Sequence, residues 1–332
     1  MFQLKSVLFL TALCATACAV QAQTVNVYTY DTFTSDWGAG PKVKTLFEQA
    51  HAQCQVNYVS FDSAGTLFNR VRLEGRKTAA DVVLGLDNYM LEEARKTGLF
   101  AENQVDLNGL ALPSDWQDST FLPYDFGQYA FIYDKTKLQN PPASLKDLVE
   151  RRDLRVIYQD PRVSSVGRGL VLWMNAVYPA EQVAQAWRTL AQHTVTVGKG
   201  WSETYGAFLQ GEADLVLSYN TSPLYHLLQE QKDHYAAAEF SEGGVLQIEV
   251  AALVANRDNA CAGQFLQFLI SPAAQKEIAL NNVMLPVIQT EIEPHFDALT
   301  ARQRQTPVLD TLKLSPEQVK RWIHTWQTSL TR

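Results

Sequence analysis

Three times between Thr24 and Gly98 a short run rich in β-branched and aromatic residues gives way to a run whose apolar residues recur at helical spacing. Thr24 to Tyr30 reads as a strand, and Pro41 with Val43, Leu46, Phe47 and Ala50 reads as the helix after it. The order repeats in strand 55–59 with helix 66–74 closed by Gly75, and in strand 80–85 with helix 88–97 closed by Gly98. Such a βαβαβα run demands a mostly parallel sheet with helices on both faces. All-helical and sandwich folds are excluded for this part of the chain.

A second block repeats the logic. Tyr129 to Tyr133 reads as a strand, and Ser144, three residues before Asp147, opens a helix. Strands at 155–158, 194–197 and 215–219 lead into helices at 169–177, 202–209 and from Ser222-Pro223. Leu246 to Val254 is a long apolar strand, and Ser271-Pro272 and Ser315-Pro316 each open a helix. A chain of 332 residues exceeds the ~100–150 residues usual for one core, so two lobes are expected.

Met1 to Ala22 carries Lys5, an apolar stretch from Val7 to Val20 and the small-x-Ala ending Val20-Gln21-Ala22, the pattern of a cleaved export signal over residues 1–22. A lipid anchor on Cys18 is the weaker alternative, since no leucine stands three residues before it. After cleavage Cys54 and Cys261 remain in an oxidising compartment, where they either pair or are buried separately. The formal charge of −7, without a cluster of Lys and Arg, argues against a nucleic-acid partner.

Ligands of open α/β sheets bind beyond the carboxyl ends of the strands. The loops there hold Tyr30, Ser63, Ala64, Ser164, Ser165, Trp201, Tyr219, Asn220, Thr221, Ser222 and Tyr225, a set of aromatics and hydroxyls with few charges. Rings of this kind stack on flat ligands and hold cations against their faces, at roughly 0.5–2 kcal/mol apiece. Ser63, Ser164 and Ser222 stand equally well as plain helix caps, and Tyr30 and Tyr219 as buried ends of apolar strands. Convergence of these loops on one place is what favours a binding site.

No catalytic residue emerges. The six histidines show no metal-ligand spacing, and neither a nucleophile elbow nor a phosphate-binding glycine loop is present. The reading is a binder without cofactor, metal or catalytic group.

The chain resembles the periplasmic thiamine-binding proteins of bacterial ABC uptake systems. The resemblance rests on Val27-Tyr-Thr-Tyr-Asp31, Ala80 to Asn88, Val156 to Arg162, Lys199-Gly-Trp-Ser-Glu203, and Asp214 to Tyr219 with Thr221-Ser-Pro223. It implies a type II periplasmic-binding fold, α/β, of two lobes joined by crossing hinge segments. Lobe 1 would comprise 23–128 and 246–300, and lobe 2 129–245 and 301–332. Tyr30, Trp201 and Tyr225 would flank the rings of thiamine or of its mono- or diphosphate. Ser164, Ser165 and residues 219–222 would hold polar groups. A membrane permease and, through it, an ATPase subunit would be the protein partners. Where the family has an Asp-Gly pair, this chain has Ser63-Ala64, with Asp62 just before. Two alternatives remain on other grounds: a ferric-ion binder using Tyr219, Tyr225 and His226, and a secreted thiamine-degrading enzyme on a similar scaffold.

Overall fold

The computed structural model describes residues 22–305, 309 and 315–330, so the export signal read over residues 1–22 lies, except for Ala22, outside the described residues. In chain order the first elements are β1 (Gln23–Tyr30), α1 (Asp31–Thr34), α2 (Gly40–Ala50), β2 (Cys54–Phe61), α3 (Ala64–Glu74), β3 (Val82–Asp87), α4 (Leu91–Lys96) and β4 (Phe100–Ala101). Then come β5 (Phe121–Asp134), α5 (Leu145–Glu150), β6 (Val156–Gln159), α6 (Ser165–Val177), α7 (Ala180–Ala191), β7 (Thr194–Gly198), α8 (Trp201–Leu209), β8 (Leu215–Tyr219) and α9 (Ser222–Glu230). The chain continues through β9 (Tyr235–Ala237), β10 (Leu246–Val254), α10 (Ala260–Leu269), α11 (Pro272–Asn282), α12 (Pro294–Gln305) and α13 (Pro316–Leu330).

Parallel pairing holds where the alternation predicts it: β1 pairs with β2 and β3, and β6 pairs with β7 and β8. The two parallel groups are not separate sheets. Hydrogen bonding runs through the order β2-β1-β3-β10-β5-β8-β6-β7, with β5 and β10 inserted antiparallel in the middle. The 14-residue β5 bonds β10 from Phe121 to Gln128 and β8 from Tyr129 to Tyr133. One strand therefore belongs to both halves and makes the crossing.

Each half has its own core. Val25, Val27, Phe33, Phe47, Phe121, Ile248 and Phe265 pack around the first parallel group. Around the second, Phe131, Trp173, Trp187, Leu217 and Trp326 form a core on one face, and Ile132, Ile157, Val216 and Phe208 form another on the opposite face. Phe131 and Ile132 lie on opposite faces because side chains alternate along a strand. α13 packs on α6 and α7 through Val319 and Trp326, whose indole N–H donates to the Tyr158 hydroxyl at 3.0 Å.

The sequence left the cysteines open between pairing and separate burial. The structure joins Cys54, at the start of β2, to Cys261, in the first turn of α10. The Cα atoms lie 5.7 Å apart, within the ordinary disulfide range, and the bridge joins positions 207 residues apart in sequence.

Candidate functional site

A cleft of about 310 Å³ opens where the two halves face each other, beyond the carboxyl ends of β1, β2, β6, β7 and β8. Local sequence brings each wall there. Tyr30 ends β1 and its ring packs against Gly85, whose φ of +111° and bare Cα leave room for it; a Cβ there would sit 2.3 Å from the ring. Ser63 caps α3 and Ser164 caps α6, each accepting a backbone N–H from the first turn. Both helices thus point their N-terminal, partly positive ends at the cleft.

The opposite wall is a stack. Trp201 opens α8 and lies on Tyr205 with ring centroids 4.6 Å apart and planes within 16°; Tyr205 lies in turn parallel to His226 at 5.8 Å. Hydrogen bonds hold the stack at its edges. The Trp201 indole donates to Ser218 Oγ at 2.7 Å, Ser218 bonds Ser222 at 2.7 Å, and Tyr205 bonds His226 Nε2 at 2.9 Å. His226 is fully buried and its Nδ1 bonds Glu230 at 2.8 Å. Burial holds the imidazole below its usual pKa, and a neutral ring with Nδ1–H donating to the carboxylate and Nε2 accepting from the phenol satisfies both bonds.

Four carboxyl groups line the cleft, those of Asp31, Asp62, Glu230 and Glu249, and no Lys or Arg does so among the described residues. Burial, followed by the negative Asp62 nearby, raises the Asp31 carboxyl above its ordinary range. Glu249 accepts from Tyr30 at 2.7 Å and from Tyr124 at 2.8 Å, and burial raises it as well. Stacked rings, a negative floor and two helix starts together suit a flat ligand with a positive ring and a polar or anionic tail.

A family model described as bacterial extracellular solute-binding protein matches residues 31–276. The chain belongs to that family. The thiamine-binding periplasmic protein of Haemophilus influenzae (strain ATCC 51907 / DSM 11121 / KW20 / Rd) is 65% identical over 330 residues, 99% of each chain. That of Escherichia coli (strain K12) is 50% identical over 335 residues, 99% of this chain and all of the other. A solved periplasmic thiamin binding protein superposes with a TM-score of 0.86 at 48% identity, covering 94% of this chain and 97% of that one. The type II fold read from the resemblance is therefore the fold of this solute-binding protein.

Nine of the eleven residues singled out from the sequence line the cleft: Tyr30, Ser63, Ala64, Ser164, Ser165, Trp201, Tyr219, Ser222 and Tyr225. Asn220 and Thr221 do not. Asn220 turns toward the crossing strand, accepting from Gln128 N at 3.2 Å and donating to Gln303 at 2.6 Å, while Thr221 is buried at the start of α9. The Ser63-Ala64 departure is also placed: Ser63 is consumed as a cap, and Asp62 brings the carboxylate to the cleft one residue earlier.

Several lining residues escaped sequence reasoning. Trp37, 48% exposed, sits in a loop that gives no periodic signal. Glu249 hides inside an apolar strand, where a lone buried acid was the available clue. Asn282 ends α11, and Val283 and Met284 follow it; Val283 takes a φ of +54°, a conformation that a β-branched residue rarely takes and that strains the backbone beside the cleft.

The ferric-ion alternative fares poorly on geometry. Tyr219 donates to Gln247 at 2.8 Å and His226 is engaged by Tyr205 and Glu230, so these side chains are held by different partners. No cluster of three or more His, Cys, Asp or Glu suited to a metal occurs among the described residues.

Proposed function

We propose that this solute-binding protein captures thiamine, and its mono- and diphosphate esters, in the periplasm and delivers it to the permease of an ABC importer, whose ATPase subunit drives release. The observation that carries the reading is the Trp201–Tyr205 stack facing a cleft lined by carboxyl groups and, among the described residues, by no Lys or Arg. The thiazolium ring is a fixed cation on a flat heteroaromatic, which is what stacked indole and phenol faces above a negative floor select. Tyr30, Trp201, Tyr225 and Trp37 would flank the two rings. The hydroxyethyl tail, or a phosphate on it, would meet the helix starts at Ser63-Ala64 and Ser164-Ser165. The names and identities of the relatives support the same ligand and the same compartment.

The protein acts as a binder and not as an enzyme. A thiamine-degrading activity needs a nucleophile in the cleft, and the two described cysteines are joined to each other away from it. Native mass spectrometry of protein purified from thiamine-fed cells tests the proposal: a complex heavier by one thiamine or thiamine ester is expected. Protein emerging without that mass, or turning thiamine over to pyrimidine and thiazole fragments, would reject it.

A further inference from the structure

Asp87, Glu249 and Asp125 stand side by side on three adjacent strands. The antiparallel register sets Glu249 of β10 opposite Asp87 of β3 and, on its other side, opposite Asp125 of β5. Directly opposed residues project from the same face of a sheet, so three carboxyl groups form one row across the crossing strands at the floor of the cleft. They are 1%, 7% and 0% exposed, and Glu249 is the member that reaches the cleft. Like charges so placed repel, and burial removes the water that would screen them.

The surroundings supply too few partners for three ionised groups. Tyr30 of β1 and Tyr124 of β5 donate to Glu249 Oε2, Gln247 donates to its Oε1 at 3.0 Å, and Asn282 of α11 donates to Asp125 Oδ2 at 2.7 Å. Arg168 of α6 acts on Asp87, whose Oδ1 also accepts from the Tyr89 backbone N–H at 2.9 Å, and the phenols of Tyr129 on β5 and Tyr219 on β8 act on Glu249 and Asp87. Asp87 Oδ2 and Asp125 Oδ1 are buried with no hydrogen-bond partner among the described residues. Burial and the neighbouring Glu249 push Asp125 well above the ordinary carboxylate range.

We infer that the row keeps a proton between Asp125 and Glu249 while the cleft is empty and gives it up when a cation is seated, so that ligand capture releases a proton. The carboxylic O–H breaks, the proton leaves to solvent by way of Glu249 at the cleft floor, and the fixed positive charge of the ligand takes its place. The net charge of the floor is the same before and after. The sign follows: a cation lowers the affinity of the pair for protons, so binding tightens as pH rises through the range in which the empty form is still protonated. This rests on the reading that the ligand is a cation.

Calorimetry of thiamine binding to the full chain, in phosphate and in Tris at one pH, tests it, with free thiamine titrated separately for its own protons. The observed heat should differ between the buffers by the amount that release of up to about one proton requires, and Kd should fall as pH rises, by up to about tenfold per pH unit over the range in which the empty form is protonated. Glu249→Gln should bind more weakly and lose both effects. Equal heats in the two buffers together with a flat Kd in the wild-type protein would overturn the proton coupling and leave the ligand reading standing. Absence of any thiamine binding would remove the ligand reading and the coupling with it.

Discussion

The backbone N–H of Gly65 donates to the carbonyl oxygen of Val163 at 3.2 Å, and this contact joins the start of α3 on one side of the cleft to the loop before α6 on the other. Ser63 Oγ donates to the same oxygen at 2.7 Å. The described structure is thus a closed one, latched across the mouth of the cleft by two hydrogen bonds to one acceptor.

The latch has no space for a side chain at Gly65, where a Cβ would stand 2.2 Å from Val163 O, backbone against backbone. Gly65→Ala should keep the two halves from meeting while leaving each core intact. Thiamine should bind at least ~10-fold more weakly, about 1.4 kcal/mol, chiefly through faster dissociation. Stopped-flow dissociation rates measure this, alongside denaturant unfolding, whose free energy should change by about 0.5 kcal/mol or less.

Trp201 has two duties, since it faces the cleft and also packs on Tyr205 and the cores behind it. Trp201→Ala should weaken binding more than ~10-fold and also lower stability by about 1–3 kcal/mol. Trp201→Phe keeps the ring stack and loses the bond to Ser218, so it should recover most of the affinity. Titration of both variants, with denaturant unfolding of each, separates the duties.

The Cys54–Cys261 bridge closes a loop of 207 residues, and neither cysteine lines the cleft. On a chain-entropy account such a loop contributes about 5 kcal/mol. A Cys54→Ser, Cys261→Ser double variant should lose up to that much in urea unfolding and keep its affinity for thiamine within about twofold.

His226 gives stability an acid limb. Burial depresses its pKa in the folded chain, so protonation favours the unfolded chain: its contribution is whole above about pH 6.5 and is lost as pH falls below that value. Glu230, held low by its bond to His226, adds a further loss below about pH 4.5. Melting temperatures of the wild type should decline from about pH 6.5 downward. A His226→Gln variant should start lower and lack the upper part of that decline.

Much of this was legible because local rules decide it. Ser144 and Ser271 are read as helix starts and Ser63 and Ser164 as cap candidates, and each accepts a backbone N–H from the first turn of its helix. The strand-to-helix loops converge because a parallel sheet puts all of them at one edge. What stayed hidden depends on the crossing. Pro123, Asp125 and Gly127 interrupt the strand signal of β5, so only its second part could be read, although pairing with β10 keeps it extended throughout. The acidic row is invisible for the same reason, since its members are 38 and 124 or more residues apart and meet only through register. Asn220 and Thr221 share their loop with true lining residues; which of four consecutive side chains faces the cleft is set by the turn into α9.

The central claim is that aromatic faces from both halves close on a flat cation in this cleft. Trp37 and Trp201 both line it, so thiamine seated there must perturb their emission. Titrating thiamine into ligand-free protein while following tryptophan fluorescence should give saturable quenching at one ligand per chain, with Kd at or below about 1 μM, some −8 kcal/mol. Fluorescence that stays unchanged to about millimolar thiamine, a binding free energy no better than about −4 kcal/mol, would contradict it.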